Sequence, residues 1–315
     1  MTPLAFGVAA GLACALFSSI SYLISRHHGT RRPGGSRRLL VLAHLLMGLA
    51  CLPVAWWLIP AETSADRLFS WPIWSACFVS TGSYGVGQAC VFHLLTRADA
   101  SRLSPLLGLK IIALAVIVSL ALRQPITAGQ WLAVILCGAA AVVQQRGGAG
   151  VTAAALALLG FACCCFAVAD LGIIALINAL DAALPISRLT AGSLAMALTY
   201  VLGGLIVMPL VASEYARRQP PTARDWLAAT EYAAAWLTAM VSLYACIGSV
   251  GVVLSTILQS TRGVMSVVIG AILAHGGWHD LEGRVDRVMF AKRTVAAVLM
   301  TAAIAIYVWT ADVGG

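Results

Sequence analysis

Charged side chains are scarce in this sequence: Asp, Glu, Lys and Arg make up 10% of 315 residues, and 61% are hydrophobic. A water-soluble domain carries about 25% charged residues, so this chain cannot cover a globular surface with groups that water solvates. Cysteine is missing from every loop. Cys14, Cys51, Cys77, Cys90, Cys137, Cys163, Cys164, Cys165 and Cys246 all lie inside apolar runs, where thiols act as small hydrophobes and not as a disulfide framework. Metal-ligand spacing is absent too, because Cys163, Cys164 and Cys165 are consecutive and point about 100° apart on a helix. The glycine-rich stretch Gly82-Ser83-Tyr84-Gly85-Val86-Gly87 follows no strand, so it is not a phosphate loop. No activated nucleophile or His/Glu metal set appears. An enzyme is therefore unsupported, and no cofactor or metal is expected. What is left is a polytopic integral membrane protein.

A helix needs about 20 apolar residues to cross the bilayer core. Ten such runs can be read, at roughly 3–24, 39–59, 72–94, 103–122, 129–145, 151–174, 190–211, 227–247, 252–273 and 292–311. The first is not a cleavable leader, since no basic residue precedes it and Ser25-Arg26-His27-His28 follows it. Trp56, Trp57, Trp71, Trp74, Trp131, Trp226 and Trp309 fall at run ends, as an interfacial aromatic belt requires. Trp278 falls in a loop, and Trp236 alone lies in mid-span.

The basic residues set the orientation. Of twenty Lys and Arg, fifteen lie in odd-numbered connections and three (Arg67, Arg123, Arg188) in even ones, while Lys110 and Arg262 lie inside spans. The positive-inside rule then puts the odd connections in the cytoplasm and both termini outside. The net charge of +8 is thus topological, and no nucleic-acid partner is implied. Placement in the cell (inner) membrane follows.

Gly147-Gly148-Ala149-Gly150 separates five spans from five. The segment from Arg102 to Lys110 lies over the segment from Leu254 to Arg262 at an offset of 152, with each segment's intramembrane cation at the same place. An odd number of spans per half inserts the second half upside down. The expected fold is thus an all-α polytopic membrane protein of ten transmembrane helices as two inverted five-helix repeats, residues 1–146 and 151–315, with a site at the repeat interface.

The stretch Phe92-His93-Leu94-Leu95, then Ala100 through Lys110, and on through Gln130-Trp131-Leu132-Ala133-Val134 to Gly138 resembles the EamA-type repeat of the drug/metabolite transporter superfamily. Leu243-Tyr244-Ala245 through Leu273 is similar to a second copy. The resemblance implies a transporter whose fifth and tenth spans are peripheral. Leu122-Arg123-Gln124-Pro125 and His275-Gly276-Gly277 stand where many members carry a glutamate, so it supplies no proton-coupling carboxylate.

Polar residues at helical spacing mark faces turned from lipid. The first span offers Cys14, Ser18, Ser21 or Tyr22, and Ser25; the third, Cys77, Thr81, Tyr84 and Gln88; the eighth, Glu231, Thr238 and Ser242. Ser255, Gln259, Arg262 and Ser266 form the clearest stripe, on the ninth. Gly7 with Gly11, and Gly82 with Gly85, read as close-packing positions. Lys110, Arg262 and Asp170 each cost about 2.5–3.5 kcal/mol near a helix centre, so each needs a partner, water or a ligand. Either the three form a buried scaffold, or two cations against one carboxylate leave a positive excess for an anion. Asp170, near the end of its run, could instead reach an interface. The expected substrate contacts are Lys110, Arg262, Tyr84, Gln88, Ser255 and Gln259, with Asp170 as coupling group or counter-ion.

The sequence therefore reads as a secondary transporter moving a small anionic or zwitterionic metabolite across the plasma membrane by alternating access, in export rather than uptake. The alternative is a carrier or flippase for an amphipathic or lipid-linked molecule, which an apolar cavity open sideways to the bilayer would favour. A structural or receptor protein is a third class, but it leaves the intramembrane charges without a purpose. The partners are a small-molecule substrate and the bilayer, with a homodimer left open. Trp278, Leu281, Val285 and Val288 recur at helical spacing among charges, predicting a short amphipathic surface helix.

Overall fold

The computed structural model describes residues 2–29, 35–95, 107–120, 123, 125–145, 152–216, 220–262, 265, 268, 269, 272 and 287–312. Among these residues every regular element is helical. The first half contains α1 (Pro3–Gly29), α2 (Gly35–Leu58), the single turn α3 (Ala65–Leu68) and α4 (Trp71–Leu95). A 3-10 turn at Leu107–Leu109 leads into α5 (Lys110–Leu120), and α6 (Ala128–Gln145) follows. Then come α7 (Ala153–Ala183), α8 (Arg188–Ala216), α9 (Ala223–Val250), α10 (Val252–Ser260) and α11 (Arg287–Asp312). Residues 262, 265, 268, 269 and 272 are also helical. The expected surface helix at 278–288 lies, but for its last two residues, outside the described residues.

Five segments are long and apolar enough to cross a membrane: Pro3–Ser25, Arg37–Leu58, Ala153–Ala183, Arg188–Ser213 and Ala223–Val250. Two more helices, α4 and α11, have 25 and 26 residues. The described residues are those of an all-helical, multi-pass membrane protein.

Local chemistry explains where helices outrun the apolar runs. The sixth apolar run ends near 174, ahead of Asn178 and Asp181, yet α7 continues to Ala183 because no proline intervenes before Pro185. Leu184 is extended (φ −121°, ψ 145°), as a residue before proline must be. The start of α9 is set by a capping box: the Thr222 hydroxyl accepts from the Asp225 N–H at 3.4 Å, and Asp225 Oδ2 accepts from the Thr222 N–H at 2.8 Å. Between α9 and α10 stands Gly251 alone, at φ +79°, a conformation open to glycine.

Packing is closest between α1 and α9, α4 and α7, α2 and α8, and α6 and α11. Small residues make these approaches, as bilayer packing demands. A Cβ on Gly48 of α2 would stand 2.8 Å from the Cα of Gly204 on α8, and one on Gly172 of α7 would stand 2.9 Å from the Ser80 backbone on α4. Gly7 and Gly11 are close-packed as expected, facing Val250 and Leu258. Gly82 and Gly85 are not: a Cβ on either would meet nothing within 4 Å.

Ion pairs order the two ends of the bundle. At one end Arg38 Nη1 lies 3.4 Å from Asp225 Oδ2, and His28 Nε2 lies 3.2 Å from Glu231 Oε2. This joins the end of α1 and the start of α2 to the start of α9. At the other end Arg188 bonds Asp181 at 3.6 Å and donates from Nε to the Gly248 carbonyl at 2.9 Å. Gly7 abuts Val250 and Gly129 abuts Thr310, so the starts of α1 and α6 and the end of α11 share that second end.

Candidate functional site

The intramembrane charges meet in one place. A cavity of about 40 Å³ is lined by Lys110, Asp170 and Arg262, together with Tyr22, Ser80, Tyr84, Thr199, Tyr200, Trp236, Tyr244, Gln259 and a few apolar side chains. Lys110 is the first residue of α5, placed there by the 3-10 turn before it. Asp170 lies near the middle of α7. It is only 5% exposed, because the extension of α7 to Ala183 moves it away from the helix end where the apolar run had placed it.

The charges are not equivalent. Lys110 Nζ lies 2.8 Å from Asp170 Oδ2, and Thr256 Oγ1 donates to the same oxygen at 3.2 Å. That carboxylate is therefore both neutralised and hydrogen-bonded. Arg262 is 4% exposed and makes no ion pair among the described residues. Its guanidinium carbon stands 5.7 Å from the Tyr22 ring centroid, a cation–π contact worth about 0.5–2 kcal/mol. Its Nε is buried without a hydrogen-bond partner. Beside it in the cavity, Gln259 donates from Nε2 to Cys14 Sγ at 3.7 Å, while its Oε1 is also unpartnered. A buried cation in hydrocarbon with a free donor is costly. Its complement is a negatively charged oxygen.

The walls are aromatic. Tyr84 packs against His44, Phe166, Tyr200 and Trp236, with centroids 5.8, 6.2, 6.5 and 6.1 Å away. Trp236 stacks on Tyr232 at 5.9 Å and 7°, meets Tyr22 edge-on, and donates from Nε1 to the Tyr200 hydroxyl at 2.7 Å. Tyr244 donates to Thr199 Oγ1 at 3.1 Å. The cavity is thus a box of ring faces closed at one side by an ion pair and an arginine.

Of the expected contacts, Lys110, Arg262, Tyr84, Gln259 and Asp170 line this cavity. Gln88 stands one turn from it, donating from Nε2 to the Tyr84 hydroxyl at 2.7 Å, with its own Oε1 unpartnered. Ser255 is not at the cavity: its hydroxyl donates to the Gly251 carbonyl one turn back, at 2.5 Å. Ser266 lies outside the described residues. The polar set expected on the eighth span also points elsewhere. Glu231 and Thr238 are exposed and Ser242 is half-buried. The Thr238 and Ser242 hydroxyls donate to Ala234 and Thr238 carbonyls of their own helix, at 2.9 Å each. The cavity face of α9 is aromatic instead, and the lone mid-span tryptophan, Trp236, was its signal in the sequence. No described residue of α6 or α11 lines the cavity.

Three comparisons bear on these features. The EamA-like transporter family matches residues 5–144. A solved structure described only as "Crystal structure of protein" superposes with a TM-score of 0.63 at 17% identity, covering 97% of this chain and 97% of its own. At that identity the likeness is one of fold. No curated protein is significantly similar in sequence.

Proposed function

We propose that the chain, whose residues 5–144 match the EamA-like transporter family of the drug/metabolite transporter superfamily, is a secondary transporter for a small anionic or zwitterionic metabolite. The two halves, residues 1–146 and 151–315, would be inverted five-span repeats that rock about the cavity and move the metabolite outward. The helix pairing supports this plan. Numbering ten spans and exchanging each with the one five places away turns the first–eighth pair (α1 and α9) into the sixth–third pair (α7 and α4). The same exchange maps the second–seventh and fifth–tenth pairs onto themselves. Lys110 and Arg262 then hold equivalent places, one per half.

The observation that carries the reading is the inequality of the two cations. Asp170 neutralises Lys110, so Arg262 is the charge left over for a ligand. Its planar fork suits two-point capture of a carboxylate or phosphate. Tyr84, Gln88 and Gln259 would supply hydrogen bonds. Metabolite profiling of cells producing wild type or Arg262→Gln is the test. Carboxylated or phosphorylated metabolites should leave the cytosol in wild type alone. Identical pools in the two strains would overturn the reading.

Orientation has its own test. Arg26, Arg31, Arg32, Arg37 and Arg38 belong to the first connection, and Arg217, Arg218 and Arg224 to the seventh. Contacts from His28 and Arg38 to the start of α9 keep the two connections at one end of the bundle. That end should be cytoplasmic. A reporter that fluoresces only in the cytoplasm, fused after Gly315, should remain dark, and one inserted after Arg218 should be bright. The reverse pattern would overturn the orientation.

A further inference from the structure

A second cavity shares a wall with the first. It has about 330 Å³ of space between α2, α4 and α8, and Tyr84, Thr199 and Tyr200 line both it and the charged cavity. Its other side faces lipid, where Val86 and Ile206 are 48% and 52% exposed. Gly82 and Gly85 hold it open, since nothing lies within 4 Å of where their side chains would begin. The polar groups along it are already bonded. The Thr81 hydroxyl donates to the Thr199 carbonyl at 3.4 Å, and the Thr199 hydroxyl donates to the Ala195 carbonyl at 2.7 Å. His44 donates from Nδ1 to the Leu40 carbonyl at 2.8 Å. No Asp, Glu, Lys or Arg lines the groove, and its size of about 330 Å³ lies at the lower end of the roughly 300–1,000 Å³ of small-ligand pockets.

We propose that the groove holds the apolar tail of the transported anion, so that the substrate class is an amphipathic organic anion with its head on Arg262 and its tail between α4 and α8. This rests on the reading of Arg262 as the anion contact and extends it by what the adjoining space accepts. A purely polar metabolite would leave an apolar chamber of this size, beside its own site, without a role. A ligand with an alkyl or ring tail fills both chambers once the Tyr84 side chain, which lines both, swings aside. The head is held by charge and the tail by removal from water, two contributions that can be varied separately.

The test uses the full chain in lipid nanodiscs, with free ligand set by equilibrium dialysis and uptake by empty discs subtracted. Acetate, hexanoate and decanoate are the probes. Burying a methylene contributes about fourfold in affinity when the burial is complete, so decanoate should bind at least tenfold more tightly than hexanoate, and hexanoate more tightly than acetate. Gly82→Leu with Gly85→Leu, which fills the groove, should bring decanoate down to hexanoate or below. Arg262→Gln should remove protein-dependent binding of the longer probes. The wild-type series decides the matter even where a filled variant does not fold. A flat series with acetate still bound would overturn the tail site and leave the anion site standing. Steep chain-length dependence that survives Arg262→Gln would mean lipid-like association with the groove alone, and would overturn the shared ligand. No binding of any probe would overturn the anion site and the tail site together.

Discussion

Exchanging Lys110 for Gln and Asp170 for Asn together should leave a folded protein that still transports, whereas Arg262→Gln alone should abolish transport in a folded protein. The difference follows from where each charge is met. Lys110 and Asp170 are 4% and 5% exposed and 2.8 Å apart. Removing one partner leaves the other as an uncompensated buried charge, at about 3–5 kcal/mol, so both single variants should insert poorly or unfold early. Removing both is often close to neutral, and a Gln–Asn pair can keep a hydrogen bond across the same gap. Among the described residues Arg262 has no carboxylate to lose. Its replacement relieves a buried charge instead of exposing one, so the variant should fold at least as well as wild type. Uptake into proteoliposomes, normalised to folded protein, is the measurement, with the anion found by metabolite profiling. Arg262→Lys keeps the charge but loses the fork. One charge-assisted hydrogen bond contributes about 1.5–3 kcal/mol, so KM should rise roughly ten- to 150-fold. An active Arg262→Gln would place the anion elsewhere. A folded but inactive double variant would give Asp170 a role in coupling, beyond neutralising Lys110.

The residues of this cavity differ in how legible they were in the sequence, for physical reasons. Lys110, Asp170 and Arg262 could be picked out because an ionisable group inside a bilayer is expensive, although Asp170 stood near the end of its run. Which cation Asp170 would choose was not legible, since that depends on where the 3-10 turn at Leu107–Leu109 puts the start of α5. Hydroxyl stripes were a poor guide. Thr238, Ser242 and Ser255 bond to their own helix, so they can face lipid or a neighbouring helix without a desolvation cost. The aromatic wall was partly legible: Tyr84 stood on a polar stripe and Trp236 alone among the tryptophans lay in mid-span, whereas Tyr200 and Tyr244 carried no such signal. Glycine was ambiguous in a deeper way. The absence of a side chain serves equally to bring two backbones together and to leave a space, and only the neighbours decide between the two.

That ambiguity gives the sharpest stability contrast in the molecule. Gly48→Ala should lower the apparent Tm by several degrees, and Gly82→Ala should leave it unchanged. Both are single methyl additions to glycines inside membrane helices, so propensity and hydropathy change alike. At Gly48 the new Cβ would lie 2.8 Å from the Gly204 Cα and 2.9 Å from the Tyr200 carbonyl oxygen. Both are backbone atoms that cannot swing aside as a side chain can. The α2–α8 pair must then separate, and overpacking of this kind costs about 1–3 kcal/mol. At Gly82 the same methyl enters open space, and a change within about 0.5 kcal/mol is expected. Since Tyr200 lines both cavities, the shift forced by Gly48→Ala should also weaken ligand binding, while Gly204→Ala, at 3.0 Å from the Gly48 Cα, should reproduce the loss of stability from the other helix. Thermal unfolding of the three variants at one heating rate, in the same detergent, measures this. Equal midpoints for Gly48→Ala and Gly82→Ala would mean that α2 and α8 do not cross in backbone contact, and the helix pairing on which the two-repeat plan rests would lose its central member.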